Sequence, residues 1–173
     1  TQYGAKNLVL GMAHRGRLNA LVNIFGKLPQ DLYDEFKGKK EINYGSGDVK
    51  YHYGHAASVA TSNGNIDVRM LCNPSHLAIV SPVVGGVARA LQDNEQDGNN
   101  ALPIVVHGDA AVAGQGVIME TLQMSQTRGY TTGGTIHIVI NNQVGFTTHE
   151  KADVRSTQYC TDVSKVINIP VIH

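Results

Sequence analysis

The chain has 173 residues and carries 14 basic and 14 acidic side chains, so its formal net charge at neutral pH is zero. Hydrophobic residues make up 42% of it, and it contains two cysteines. No apolar run reaches the roughly 18 to 20 residues that cross a bilayer. This composition excludes a collagen, a disordered tail and a disulfide scaffold, and the balanced charge gives no field for nucleic acid or an anionic membrane. We expect one compact soluble domain with a small-molecule site.

Neither the cysteines nor the chain ends suggest secretion. Cys72 and Cys160 form no CxxC pair and have no zinc-ligand spacing, which favours reduced thiols. The sequence begins without an initiator Met or a signal-peptide pattern and stops on the apolar run IPVIH. We therefore expect residues 1–173 to be a single domain of a longer chain, cut at both ends.

The first half of the chain predicts two strands and two helices with a long connection between them. A strand at residues 8–12 precedes a helix at 18–25 and a shorter helix that starts at Pro29. Residues 38–65 are rich in Gly, Ser, Asn, His and Tyr and are predicted to be a loop, which at this length is usually functional or disordered. Apolar and polar residues alternate over residues 66–70, which predicts a strand.

The second half predicts a βαβ unit. Ser81 caps a helix that Pro82 opens and that runs to Leu91, and residues 92–100 are predicted to be a solvated linker. Apolar runs at 102–106 and 135–140 predict two buried strands, with a helix at 117–125 between them. Such a unit crosses over right-handedly, which predicts an α/β fold with a mostly parallel sheet and helices on both faces.

Polar side chains follow both strands of this unit. Asp109 comes after the first strand and Asn142 after the second. Ligands of such sheets bind beyond the carboxyl ends of the strands, and carboxylate and amide oxygens suit Mg²⁺ while leaving sites for phosphate oxygens. The residues after Asp109 are small, so backbone N–H groups there can approach a phosphate. The pair predicts half of a metal-diphosphate site.

Simpler interpretations compete with this site. Gly-Asp alone is a common turn and Asn-Asn a common strand end, so only their joint placement favours a metal. Gly114-Gln115-Gly116 matches part of a dinucleotide-binding fingerprint, but Met119 stands where the third small residue belongs. A nucleotide-binding or purely structural α/β module is the alternative from another class.

Several blocks of the sequence resemble one enzyme family. The segments HGDAA and NN match the GD and NN motif of thiamine diphosphate enzymes, and HRGRLN and NPSHL narrow the resemblance to 2-oxoglutarate dehydrogenases. GSGDVKYHYG and RSTQYCTDVSKV resemble further blocks of the same family, so the similarity covers essentially the whole chain. The resemblance implies the diphosphate-binding domain of the thiamine diphosphate-binding fold.

The resemblance also implies roles for individual residues. The magnesium ligands would be Asp109, Asn142 and the backbone carbonyl of Val144. The cofactor contacts would be Ser75, Leu77, Asp109, Ala110, Ala111 and Asn142. The substrate contacts would be His14, Arg15, His52 and Ser75, with His14 and His52 as the candidate catalytic residues.

Side-chain chemistry agrees with the substrate assignment. A histidine becomes a cation easily beside a carboxylate, and an arginine offers a planar fork that matches one. Structural roles are expected for His55, His137, His149 and His173, whereas His76 and His107 stay undecided. The remaining neighbours are Arg17 and Lys50, expected to be solvated or supporting groups, and Tyr51 and Tyr53, which fit pocket walls and ordinary packing equally well.

The chain departs from the family pattern at two positions. Ala78 follows NPSHL where the family usually has Glu, and Ala56 stands where some relatives place a substrate-contacting Ser. Substrate contacts in this region are therefore less well supported than cofactor binding.

The resemblance implies an oxidoreductase of the tricarboxylic acid cycle and central carbon metabolism. It would decarboxylate 2-oxoglutarate oxidatively with thiamine diphosphate and Mg²⁺, and transfer the succinyl group to a lipoyl group of a partner acyltransferase. The alternatives are a dehydrogenase of the longer 2-oxoadipate, a 2-oxoglutarate carboligase or decarboxylase, and a transketolase-like enzyme. The compartment would be the bacterial cytoplasm, or the mitochondrial matrix if the source is eukaryotic.

Family members complete the site with a Glu from a pyrimidine-binding domain across a homodimer interface. No segment of these 173 residues corresponds to that domain. We therefore expect the isolated segment to bind cofactor weakly and to have no turnover.

Overall fold

The computed structural model of the chain describes residues 2–39, 50–145 and 147–173. Five strands form one sheet in the order β2-β3-β1-β4-β5. Their bounds are β1 Asn7–Met12, β2 His55–Thr61, β3 Gly64–Met70, β4 Ala101–Gly108 and β5 Ile136–Ile140. β1 pairs in parallel with β3 and β4, and β4 pairs in parallel with β5, whereas β2 and β3 are antiparallel. The prediction of a mostly parallel sheet is confirmed.

Helices cover parts of both faces of this sheet. They are α1 Arg17–Asn23, α2 Pro29–Phe36, α3 Val80–Glu95, α4 Asp109–Gly114 and α5 Gly116–Met124. Three 3-10 turns lie at Lys50–His52, Lys151–Asp153 and Cys160–Val166. Among the residues that the structure describes, none of the helices combines the length and the apolar character needed to cross a bilayer.

The central strand β1 is buried on both sides because alternate residues of a strand point to opposite faces. Leu10 packs with Leu21 of α1 in one apolar cluster, while Val9 packs with Val84 of α3 in another. A third cluster joins α4 and α5 to the 3-10 turn that begins at Cys160. The helices therefore lie on both faces, as predicted.

Gly11 of β1 touches α3 so closely that a methyl group does not fit. A Cβ at this position would lie 2.5 Å from Cγ2 of Val84. We predict that Gly11→Ala lowers the unfolding free energy of the intact protein by about 1 to 3 kcal/mol, since β1 and α3 must separate. Thermal unfolding and hydrogen exchange of β1 would show the loss. Gly86→Ala is the control, because a Cβ there meets nothing within 4 Å. Equal behaviour of the two variants would contradict the prediction.

The predicted loop over residues 38–65 is wrong for its second part. Residues 40–49 lie outside the described residues, but His55–Thr61 forms β2, which pairs along its length with β3. A tight turn joins the two strands, with Gly64 at φ +107° and the Thr61 hydroxyl donating to the Gly64 carbonyl at 2.6 Å. The pair Asn63-Gly64 is a hairpin signal in the sequence. The side chains of β2 are mostly small, so the alternation of apolar and polar residues along this strand is weak.

Helix α3 begins earlier and ends later than predicted. Its first residue is Val80, and Ser81 lies inside the helix, buried and without a capping hydrogen bond. The Ser81 cap is therefore wrong. The burial of Val80 and Val84 against β1 sets the start of the helix, and Pro82 is tolerated because the first-turn N–H groups need no helical partner.

Residues 92–100 are not a solvated linker throughout. Residues 92–95 are the last turn of α3, and Gln92 is buried. Its side-chain amide donates to the carbonyls of Gly98, Ala101 and Thr132 at 2.8, 3.3 and 2.9 Å. This residue ties the end of α3 to the start of β4, a structural role that composition alone could not show.

β5 is less buried than the sequence predicts. Ile136, Ile138 and Ile140 point to one face of the sheet and are each about half exposed, at 47, 46 and 51%. The reason is that β5 is an edge strand of the described sheet, and the apolar cluster that α1 forms on that face includes side chains of the other four strands but none of β5. The opposite face of β5 contributes Val139 to the third cluster.

Candidate functional site

The sheet brings the carboxyl ends of its parallel strands to one edge. Met12 of β1 is level with Val106 of β4, and Gly108 of β4 is level with Ile140 of β5. After β1 the chain continues to β2 and β3 on one side of β1 in the sheet. After β4 it continues to β5 on the opposite side. Loops diverge at such a point and leave a crevice, which is where open α/β sheets bind ligands.

Every predicted site residue lies at this edge. His14 and Arg15 follow β1, Ser75 and Leu77 follow β3, and His52 precedes the antiparallel strand β2. The remaining site residues follow β4 and β5, and they are Asp109, Ala110, Ala111, Asn142 and Val144. The fold thus gathers residues that are far apart in sequence.

The two candidate catalytic histidines share a neighbour. The ring of Tyr51 lies 5.9 Å from the ring of His14 and 5.3 Å from that of His52, between ring centroids. His52 is buried, and Tyr51 is partly exposed. The Tyr51 ring therefore contacts both imidazoles. Arg15 is exposed, so its guanidinium is accessible to a carboxylate.

Asp109 has an environment that calls for a cation. It is the first residue of α4, it is 1% exposed, and its Oδ1 has no hydrogen-bond partner among the described residues. A buried carboxylate is costly unless a cation or hydrogen-bond donors compensate it. A divalent ion would supply that compensation.

The other predicted metal and phosphate contacts fit a metal-diphosphate group as well. Oδ1 of Asn142 accepts a hydrogen bond from the Val144 N–H at 3.0 Å, which folds both residues into one exposed turn. An amide oxygen has a second lone pair, so this bond leaves Asn142 able to ligate a metal. Ala110 and Ala111 occupy the first turn of α4, where N–H groups lack helical acceptors. No group of three or more His, Cys, Asp or Glu side chains clusters in the described part of the chain, so oxygen atoms of Asn142 and the backbone would have to complete the coordination.

The NPSHL segment connects β3 to α3 at the same edge. Ser75 is exposed, Leu77 is half-buried, and Ala78 is buried in the third apolar cluster at φ +65°. A Glu side chain at position 78 would enter this apolar cluster. The departure from the family pattern therefore coincides with an apolar environment, and Ala56 lies on β2, paired with Arg69 of β3.

Arg17 is not solvated, which excludes one of the two roles expected from the sequence and leaves that of a supporting group. It is fully buried at 0% exposure, and desolvation lowers its pKa to about 10, against a smaller opposing effect of Cys72. Three backbone carbonyls accept its hydrogen bonds, those of Met12, Tyr53 and Leu71. The sequence contains a signal for this burial. Arg17 precedes Ala20 and Leu21 by three and four residues, so it lies on the same core-facing side of α1.

Lys50 and Tyr53 support the segment that carries His52. The Lys50 ammonium lies 5.2 Å from the centre of the Tyr53 ring and 3.3 Å from its hydroxyl. Tyr53 is buried. Lys50 is thus a supporting group, and Tyr53 packs in the interior.

His107, which is buried, and His137, which is half-buried, form a pair next to the site. Nε2 of His107 lies 2.9 Å from Nδ1 of His137, and the two rings stack. Desolvation and the neighbouring imidazole lower the pKa of His107 to about 4, and desolvation also lowers the pKa of His137. This contact is compatible with the structural role expected of His137, and it gives His107 the same partner.

This pair predicts acid sensitivity. Above pH 6.5 His107 is neutral in both the folded and the unfolded chain. Below that pH it is protonated in the unfolded chain but stays neutral in the folded chain until the pH approaches 4. Stability should therefore fall between pH 6.5 and about 4, by about 3 kcal/mol for His107 if the shift is fully expressed. Unfolding midpoints against pH test this, with His107→Gln expected to flatten the profile. The exposed His149→Gln is the control, and an unchanged profile in His107→Gln would contradict the assignment.

A separate cavity of about 1080 Å³ lies between α3, α5, β5 and the segment 159–173. None of the predicted site residues lines it. Asn141, which directly follows β5, does line it, so the cavity reaches the end of that strand.

Known proteins resemble this chain over almost its whole length. Residues 4–173 match the family described as dehydrogenase E1 component. The 2-oxoglutarate dehydrogenase E1 component of Azotobacter vinelandii is 62% identical over 173 residues, which cover 99% of this chain and 18% of that protein. The corresponding protein of Cupriavidus necator is 57% identical over 172 residues, which cover 98% and 18%.

Another relative has a broader name. The multifunctional 2-oxoglutarate metabolism enzyme of Mycolicibacterium vanbaalenii is 50% identical over 181 residues, which cover 99% of this chain and 14% of that protein. The chain thus spans less than a fifth of the length of these curated relatives. Because the family match extends from residue 4 to the last residue, the chain belongs to the dehydrogenase E1 component family.

Proposed function

We propose that this chain is the diphosphate-binding part of a 2-oxoglutarate dehydrogenase E1 component. In the proposed reaction 2-oxoglutarate is decarboxylated oxidatively, and the succinyl group passes to a lipoyl group of an acyltransferase partner. The relatives named for this enzyme support the proposal through their identity of 62 and 57%. The single structural observation that carries it is the buried Asp109 carboxylate, whose Oδ1 lacks a partner among the described residues.

Thiamine diphosphate and Mg²⁺ are the cofactors that we propose. Asp109, Asn142 and the Val144 carbonyl would hold the ion, which offsets the diphosphate charge. Ala110 and Ala111 would leave backbone N–H groups open to phosphate oxygens. Ser75 and Leu77 would lie against the rest of the cofactor. When bound, thiamine diphosphate supplies the electron sink for decarboxylation.

The substrate side of the site is formed by His14, Arg15 and His52. A dicarboxylic 2-oxo acid carries two negative groups, so it needs more than one cationic partner. Arg15 offers an exposed bidentate fork, and the imidazoles of His14 and His52, which both contact Tyr51, can donate hydrogen bonds to a carboxylate. Fixing the distal carboxylate in this way would distinguish 2-oxoglutarate from a monocarboxylic acid.

Substrate discrimination in the full-length protein tests this proposal. The purified protein should decarboxylate 2-oxoglutarate only with both thiamine diphosphate and Mg²⁺, and should succinylate a lipoyl acceptor. Pyruvate is the control substrate, with 2-oxoadipate as the homologue. The 173-residue segment alone should show no turnover, because a homodimer with a pyrimidine-binding domain would be needed to complete the site. Turnover without thiamine diphosphate, or equal use of pyruvate, would refute the proposal.

A multifunctional enzyme is the second candidate, favoured by the relative of that name at 50% identity. Its signature would be carbon-carbon bond formation from 2-oxoglutarate and an aldehyde in the absence of a lipoyl acceptor. Succinyl transfer without any ligation product would leave the dehydrogenase as the activity.

A further inference from the structure

Arg17 is a fully buried cation whose partners are backbone carbonyls. Its Nη1 donates to the carbonyls of Tyr53 at 3.0 Å and Leu71 at 2.8 Å, and its Nη2 donates to that of Met12 at 2.6 Å. Burying a charge is costly, so these three hydrogen bonds must compensate a large desolvation penalty. A role in surface solvation or in general helix stability does not account for them.

The three carbonyls belong to three separate parts of the site edge. Met12 is the last residue of β1, and Leu71 directly follows the last residue of β3. Tyr53 directly follows His52. Strand-end carbonyls have no further ladder partner, and a guanidinium with five donors in a plane can bind several of them at once. Arg17 therefore ties the His52 segment to the ends of two strands.

Further contacts hold the same segment in the same place. The Asn73 N–H donates to the His52 carbonyl at 2.9 Å. A Cβ at Gly54 would lie 2.6 Å from the carbonyl oxygen of Met70 and 3.1 Å from the backbone nitrogen of Cys72, so the backbone at residue 54 touches the end of β3. The segment is thus held at the His52 carbonyl and at the two residues that follow it.

We propose that Arg17 is a positioning residue of the substrate site, whose guanidinium fixes the segment at residues 50–54 so that His52 lies beside Tyr51, the ring that also contacts His14. This proposal rests on the proposed function, because it gives His52 its substrate role. Arg17 does not touch the substrate and acts through His52. A lysine would keep the charge but has one nitrogen in place of the two that bind these carbonyls, so it cannot keep the three hydrogen bonds in their present geometry.

Arg17→Lys in the full-length enzyme tests the proposal. We expect KM for 2-oxoglutarate to rise about tenfold or more, with the Kd of thiamine diphosphate changed by less than about threefold, since a small displacement of a binding group has large kinetic effects. Arg69→Lys is the matched control, because Arg69 is an exposed arginine of β3. It should leave both constants unchanged.

A double-mutant cycle with His52→Ala separates positioning from general destabilisation. If Arg17 acts through His52, Arg17→Lys should add little to the KM of the His52→Ala enzyme. If the KM increases caused by Arg17→Lys and His52→Ala multiply instead, the positioning role of Arg17 is overturned while the proposed substrate site stands. An unchanged KM in His52→Ala by itself would instead refute the proposed substrate site, and the Arg17 proposal with it.

Gly54→Ala provides a second route if Arg17→Lys does not fold. The added methyl would push the segment away from Met70 without altering any charge. We expect the same signature, a raised KM with nearly unchanged cofactor affinity. A Gly54→Ala enzyme with wild-type KM would show that the location of this segment does not matter to substrate binding and would overturn the proposal.

Discussion

Replacing Asp109 with Asn in the full-length protein is expected to weaken Mg²⁺-dependent binding of thiamine diphosphate by about 100-fold or more. The carboxylate is buried with an unpartnered oxygen, so it is the strongest candidate for the charge that holds the ion. Asn keeps the shape but loses that charge. Calorimetric titration of the cofactor at fixed Mg²⁺ measures the effect.

The metal-free protein gives this substitution a second readout. Because an uncompensated buried carboxylate is costly, Asp109→Asn should melt at the same temperature as the wild type or higher when no Mg²⁺ is present. Asp67→Asn is the control, as Asp67 is exposed on β3. Cofactor binding that stays near normal in Asp109→Asn would reject the ligand role of Asp109.

His52→Ala is expected to lower kcat/KM for 2-oxoglutarate by about 100-fold, mainly through KM, because a charge-assisted hydrogen bond contributes about 1.5 to 3 kcal/mol. Thiamine diphosphate affinity should change little. His149→Ala, at an exposed position, is the control for loss of an imidazole. Steady-state kinetics and cofactor titration together check the result. If the affinity for thiamine diphosphate falls while KM for 2-oxoglutarate stays unchanged, His52 contacts the cofactor and not the substrate.

The strand-edge site was predictable because its signal is local. Apolar runs identified β1, β4 and β5, and the polar residues that follow each run had to lie at one edge once the sheet was parallel. Asp109 and Asn142 could therefore be paired from the amino-acid sequence alone. The resemblance to a family added the roles of residues that carry no local signal, such as Ser75 and Leu77.

Features set by tertiary contacts were not predictable in the same way. A charged residue is assumed to be solvated, so the burial of Arg17 under strand-end carbonyls was missed. The exposure of Ile138 depends on what packs over β5, which no local pattern encodes. β2 was missed because its side chains are mostly small and half-buried at best, so its alternation is weak.

The most direct test of the central claim is a crystal structure of the full-length protein with thiamine diphosphate and Mn²⁺, which scatters anomalously and can replace Mg²⁺. The ion should lie within about 2.0 to 2.3 Å of an Asp109 carboxylate oxygen, Oδ1 of Asn142 and the Val144 carbonyl, with cofactor phosphate oxygens on its other side. A diphosphate bound without the ion, or an ion held by other residues, would contradict the account.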